Sequence, residues 1–268
     1  YLYFVIMKEN KRKDTLMENT PRLNLVIDVL MLAGAILAQS GAEIHRVEDT
    51  MIRIAHSQGI EQANVLAIPA AIFFSIDHTN ISRMKRIVSS NYDMQKVCDV
   101  NQVSRSLANE EISLEEAWQQ LNRIKQQKPP YNNIQVTLAA VVAAPFFTIM
   151  FGGSLLDAAS AILATALAFP LSLIVDRYIG IDFVTTFVGA FVFSLTSYIL
   201  SSHTNLAINP NLINAGAVMP FVPGIAFTNA VRDLMTNHIN TGMTKFFQTA
   251  LIILSLGAGT TVALMLVR

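Results

Sequence analysis

A single cysteine, Cys98, stands in 268 residues, which excludes an intramolecular disulfide and any multi-cysteine metal cluster. One free thiol fits a reducing compartment for the half that carries it. Charge is scarce too: 14% of residues are Asp, Glu, Lys or Arg, against about 25% in ordinary soluble domains. The shortage is uneven. Residues 1–130 hold 15 basic and 15 acidic residues, and residues 131–268 hold 4 and 4. The formal net charge is zero, so there is no basic surplus for a nucleic acid to meet and none is expected as a partner. With 52% hydrophobic residues the chain is not disordered. No GxxxxGK[ST] loop occurs, which excludes ATP-driven pumping by this chain. Nor does any G-x-S-x-G or HExxH motif, so neither an enzyme nor a bound metal or cofactor is expected.

What is present predicts an α/β cytoplasmic head followed by an all-α polytopic membrane domain of about five transmembrane helices. Residues 1–20 are set aside as an uninformative tail. Their basic cluster, Lys8, Lys11, Arg12 and Lys13, follows the apolar residues, the reverse of a secretory signal. The head is placed at 21–130. Leu23–Ala38 is 16 residues long and contains Asp28, so it reads as a buried helix and not as a span. Ser40 and Glu43 have capping-box spacing for a second helix, on which Ile44, Val47, Met51 and Ile54 recur at three- and four-residue steps. Strands are expected over ANVLAI, AAIFFSI and 81–89. Two helices then close the head, the second opened by another capping-box pair, Ser113 and Glu116, before Pro129-Pro130 ends the domain.

The membrane domain, 131–268, holds five stretches of the length a span needs: 133–151, 155–175, 181–201, 207–227 and 247–267. With the head in the cytoplasm, 18 of the 19 basic residues fall on the inner side, as the positive-inside rule requires.

Two features exceed generic spans. The fourth reads LINAGAVMPFVPGIAFTNAVRDLM, where Pro220 and Pro223 each remove a backbone donor and Gly224 weakens the same helix. Freed backbone in a membrane must be satisfied by protein or by a wet cavity, and broken helices of this kind bind substrate in many secondary transporters. The alternative is a kinked packing helix. Just beyond, Asn229 and Asp233 share a helix face beside Arg232. They read either as an interfacial turn, with Arg232 among headgroups, or as an inner gate. The second feature is Asp157, a carboxylate two residues into its span. It is either a solvated end residue or a functional group whose charge state matters to transport. Asp176 with Arg177 reads as a loop pair, and Asp182 as an N-cap.

Three blocks, GAEIHRVEDTMIRIA, FGGSLLDAASA and GAVMPFVPGIAFTNAVRDLM, together resemble the bacterial threonine/serine exporter family over about residues 23–265. The residues carrying the resemblance are Gly41, Ala42, Arg46, Glu48 and Arg53 in the head and Gly152, Gly153 and Asp157 after the first span. In the broken span they are Pro220, Pro223, Gly224, Asn229 and Asp233. The resemblance implies an inner-membrane exporter of a small polar metabolite, threonine or serine, driven by a gradient. The length resembles the large subunit of a split two-component system, which implies a second small membrane subunit or a homo-oligomer. One split pair of this kind is associated with succinate and other dicarboxylates, so that substrate stands as the alternative. A membrane-anchored enzyme or a ligand sensor using the head is the reading from another class. Arg46 and Glu48 lie on a polar helix face, which is either solvated or a local ion pair, or else docks on the membrane domain or acts in its gate.

Overall fold

The computed structural model describes residues 20–88, 91–203 and 207–267, so the N-terminal tail up to residue 19 lies outside the described residues. The chain forms two compact units. One comprises residues up to Lys128 together with Val231–Gly242, and the other comprises Pro129–Ala230 with Met243 onward.

In the first unit, helix α1 (Thr20–Gln39) leads through a tight turn to α2 (Ile44–Ser57). Gly41 makes that turn at φ +76°, and a Cβ there would strike the Tyr92 ring at 2.5 Å. Strands β1 (Ala63–Ile68), β2 (Ala71–Ile76) and β3 (Ser82–Arg86) then form an antiparallel sheet in the order β1-β2-β3. Ile68 opposes Ala71 across the first hairpin, and Phe73 lies between Leu66 and Met84. Strand alternation sends Ile72, Phe74 and Ile76 inward, while Leu66 and Met84 stay exposed on the other face. Helices α3 (Met94–Ala108) and α4 (Leu114–Gln126) complete the core. Ser113 and Glu116 form the expected capping box on α4.

Helix α1 is long and apolar enough to cross a membrane, yet 67% of its most apolar window is buried in the protein, against 17% for the helix at Asn133–Met150. Val29, Leu30, Ala33 and Leu37 are fully enclosed in the core of this unit. It is a core helix.

The second unit contains α5 (Asn133–Met150), α6 (Leu155–Ile179), α7 (Asp182–His203) and α8 (Pro210–Ala217). A 3₁₀ turn, Met219–Phe221, leads to α9 (Gly224–Met235), and α10 (Ile239–Val267) ends the described chain. Helices α5, α6, α7 and α10 each have the length and hydropathy of a span, and α8 with α9 makes a bent pair. Their meeting surfaces are alanine-rich: Ala144, Ala161, Ala164, Ala168, Ala190 and Ala217 are buried together with Phe193 and Ile213. Small side chains let helix backbones approach closely where lipid removes the hydrophobic drive. Phe146, Leu155, Leu254 and Met265 point outward and are well exposed, as lipid-facing residues are.

Three local expectations are corrected. The Ser40–Glu43 capping box does not form: Glu43 itself is the N-cap of α2 and makes no side-chain cap bond. Asp176 and Arg177 lie in the last turn of α6 and not in a loop, because the helix runs on to a left-handed cap at Gly180. The last helix begins at Ile239, about two turns before the expected 247, since its polar first turns are helical too.

Candidate functional site

Two polar constellations emerge, one in each unit. The first surrounds the start of α2. Glu43 accepts from Arg46 Nε at 2.8 Å and also pairs with the Arg232 guanidinium. Burial pushes the Glu43 carboxyl up, but Arg46 and Arg232 outweigh it and hold its pKa below the ordinary carboxylate range. Asp233 is fully buried, and its Oδ1 accepts from the backbone N–H of Ile44 at 3.1 Å. Ile44 is the first residue of α2, so Asp233 supplies the cap that Ser40 and Glu43 do not. Glu48 accepts from the Ala67 N–H at 2.8 Å through Oε1, and its Oε2 lies 3.9 Å from His238 Nε2. Arg46 and Glu48 therefore both serve this cluster. Arg53, half-buried on α2, has no hydrogen bond or ion pair among the described residues. Arg232, one candidate for headgroup contact, is committed to Glu43.

The second constellation lies around the broken helix. Asp157 sits in the first turn of α6, where Oδ2 accepts from the N–H and the hydroxyl of Ser154, both at 2.8 Å. Its Oδ1 accepts from the backbone N–H of Asn209 at 2.7 Å, and Asn209 is the N-cap of α8. Asp157 thus caps its own helix and tethers the start of α8. From there α8 runs eight residues, and the pair α8–α9 bends by 63°. Pro220 lies within the 3₁₀ turn and Pro223 immediately before α9, so neither has an N–H to carry the ladder across. Phe221 fixes the break. Its ring lies 5.5 Å from that of Phe169 and 5.7 Å from that of Phe193. A Cβ on Gly189 would meet this ring at 2.5 Å, so only glycine fits beneath it. Gly216 lets α8 press on α5, where a Cβ would reach the Ala144 carbonyl oxygen at 2.7 Å. Gly224 opens α9 in free space, with nothing within 4 Å of where a Cβ would be. Asn229 is buried one turn further along.

The sequence reading passed over Asn214 on α8 and Ser197 on α7. Ser197 Oγ donates to Asn214 Oδ1 at 2.6 Å, and both residues are buried. The signal was an amide in an otherwise apolar run, LINAGAV. The Glu43–Arg232 and Ile44–Asp233 contacts join residues 189 apart, and nothing local announces them. An open cleft of about 660 Å³ occurs in the first unit, but none of the sequence-predicted residues lines it.

The model of the ThrE family, described as "Putative threonine/serine exporter", matches residues 28–267. The chain belongs to the threonine/serine exporter family. The match covers both units of this ThrE family member, including the broken helix and the segment that caps α2. No match was found among curated proteins or among solved structures. Exporter membership and the apolar helices make it a membrane-spanning transport protein.

Proposed function

We propose that the chain exports threonine or serine across the inner membrane as a gradient-driven secondary carrier, without enzymatic activity. The first unit would be a cytoplasmic domain, and a second copy or a small membrane subunit would complete the pathway. The observation that carries this reading is the proline-broken α8–α9 pair, bent by 63° and anchored by Phe221. Such a break presents helix termini and freed carbonyls to a polar substrate inside a membrane. Asp157 would hold the first half in place, and Pro220, Pro223 and Gly224 would shape the opening. Asn229, buried on α9, would lie at the inner mouth of the pathway.

Charge favours a zwitterion over a dicarboxylate. Among the described residues of the second unit the only Lys and Arg side chains are Arg177 and Lys245. A dianion would sit there without a counter-charge, at high cost. The test is threonine efflux from cells loaded with a threonine-containing dipeptide. It is measured for the chain alone and with any small membrane protein encoded beside its gene. Efflux with either arrangement supports the reading. Absence of threonine and serine efflux in both, with the proteins confirmed in the membrane, overturns it.

A further inference from the structure

Inside the second unit one polar side chain lacks what burial demands. Asn214 is 9% exposed, and its Nδ2 has no hydrogen-bond partner. Turning the amide over would place Nδ2 on Ser197 and strand Oδ1 instead, so one end is unmet in either orientation. A buried amide left unmet costs more than an ordinary hydrogen bond returns. An apolar side chain would suit the surroundings better: Ile213, Ala217 and Phe193 are buried in the same core. Nor is Asn214 the only polar group there. Ser194 Oγ bonds Thr260 Oγ1 at 3.1 Å, linking α7 to α10. Thr165 on α6 is fully buried with its hydroxyl also unpartnered. All these groups are neutral. The described ionisable residues Asp157, Asp176, Arg177, Asp182 and Lys245 lie in the first or last two turns of their helices.

We infer that Asn214, held by Ser197, is a binding subsite that donates a hydrogen bond to an oxygen of a small, overall neutral ligand. That oxygen is a hydroxyl or one oxygen of a zwitterion's carboxylate. The inference rests on the transport reading for its physiological meaning but makes its own claim about binding. Where the Ser197 hydroxyl donates to Oδ1 at 2.6 Å, Nδ2 is the free donor; the Ser194 carbonyl at 2.8 Å is the other acceptor within reach of that single proton. Asn214 stands in α8, the half-helix tethered by Asp157 and ended at the proline break. A ligand bound there would be linked directly to the element that bends.

The test uses the purified full-length chain in detergent, with threonine, 2-aminobutyrate (the same shape without the hydroxyl) and succinate as probes. Threonine is expected to raise the melting temperature of the wild type, succinate to leave it unchanged, and Asn214→Leu to abolish the threonine shift. The unliganded variant should melt no lower than the wild type, because the unmet amide is gone. In efflux assays Asn214→Leu should raise KM for threonine by about tenfold, the value of one neutral hydrogen bond at the upper end. Ser197→Ala is the second variant, expected to weaken the shift and to carry the test if Asn214→Leu fails to fold. A wild type that none of the probes stabilises, one that only succinate stabilises, or a variant that keeps the wild-type shift and KM overturns the inference. Efflux with an unaffected Asn214→Leu sinks the subsite and spares the transport reading. A shift lost in the variant, without any efflux in the wild type, does the reverse.

Discussion

The start of α2 and the core around α8 differ in the charge of their polar groups, although each holds a buried atom without a partner, His45 Nδ1 at the first and Asn214 Nδ2 at the second. Around α2, Glu43 has two guanidinium partners, Asp233 receives the Ile44 N–H and Glu48 receives the Ala67 N–H. Around α8, the buried side chains Asn214, Ser197 and Ser194 are uncharged, the Asp157 carboxylate is confined to the start of the helix, and Nδ2 of Asn214 has no partner. Satisfied charges hold a structure in one arrangement, and an unmet neutral donor is a place where something else can bind. The first cluster reads as a clasp and the second as a receptor.

That contrast can be broken. The largest expected effect is on the receptor side: Pro220→Ala with Pro223→Ala restores two backbone donors and should let the helix run straight. Export is expected to fall to background while membrane abundance is retained, as read by threonine efflux beside an immunoblot. Export at the wild-type rate would show that the break is only a packing kink. On the clasp side, Asp233→Ala uncaps a buried N–H and is expected to cost about 2 kcal/mol. Hydrogen exchange at the Ile44–Val47 amides should accelerate, and unchanged protection would mean that Asp233 does not hold α2. Asp157→Ala frees the Asn209 and Ser154 donors and is expected to cost about 1–2 kcal/mol at the start of α8. Asp157→Asn, which keeps one acceptor, should recover part of both stability and export. Failure of Asp157→Asn to export despite full stability would instead mark a role for the charge. Ser113→Ala, far from both clusters, is the local control at about 1 kcal/mol, read by thermal melting.

The smallest effect is in pH. The folded Glu43 pKa is depressed below the ordinary value of 4.5. Its contribution is therefore complete above that value and is lost as pH falls through the depressed one. The melting temperature of the wild type should exceed that of Glu43→Gln at neutral pH, and the gap should narrow only below about pH 4.5, the unperturbed value. A gap that closes between pH 5 and 7 would overturn the assignment of this stability to the Glu43 carboxylate.

How legible this was depended on range along the chain. Ser113 and Glu116 were readable because a capping box is a three-residue affair. Ser40 and Glu43 have the same spacing and failed, because Glu43 turns to two arginines, one of them 189 residues away. The buried character of α1 followed from Asp28 and a 16-residue apolar stretch, although its hydropathy alone resembles a span. Prolines needed context. Pro145 and Pro170 lie inside intact helices, whereas Pro220 and Pro223, three residues apart, stop one. A single missing donor is absorbed by neighbouring turns, but two in succession leave no ladder to resume. Asn214 was visible as a letter and not as a site, since an amide in an apolar helix signals nothing until its partner count is known.

The cap on α2 also sets a schedule for synthesis. Ile44 leaves the ribosome 189 residues before Asp233. At 5–20 residues per second that is a wait of roughly 10–40 s with the helix end unpaired. Over that interval the apolar segments that precede α9 must enter the membrane. The first unit can therefore gain the cap on α2 only after most of the second has been synthesised.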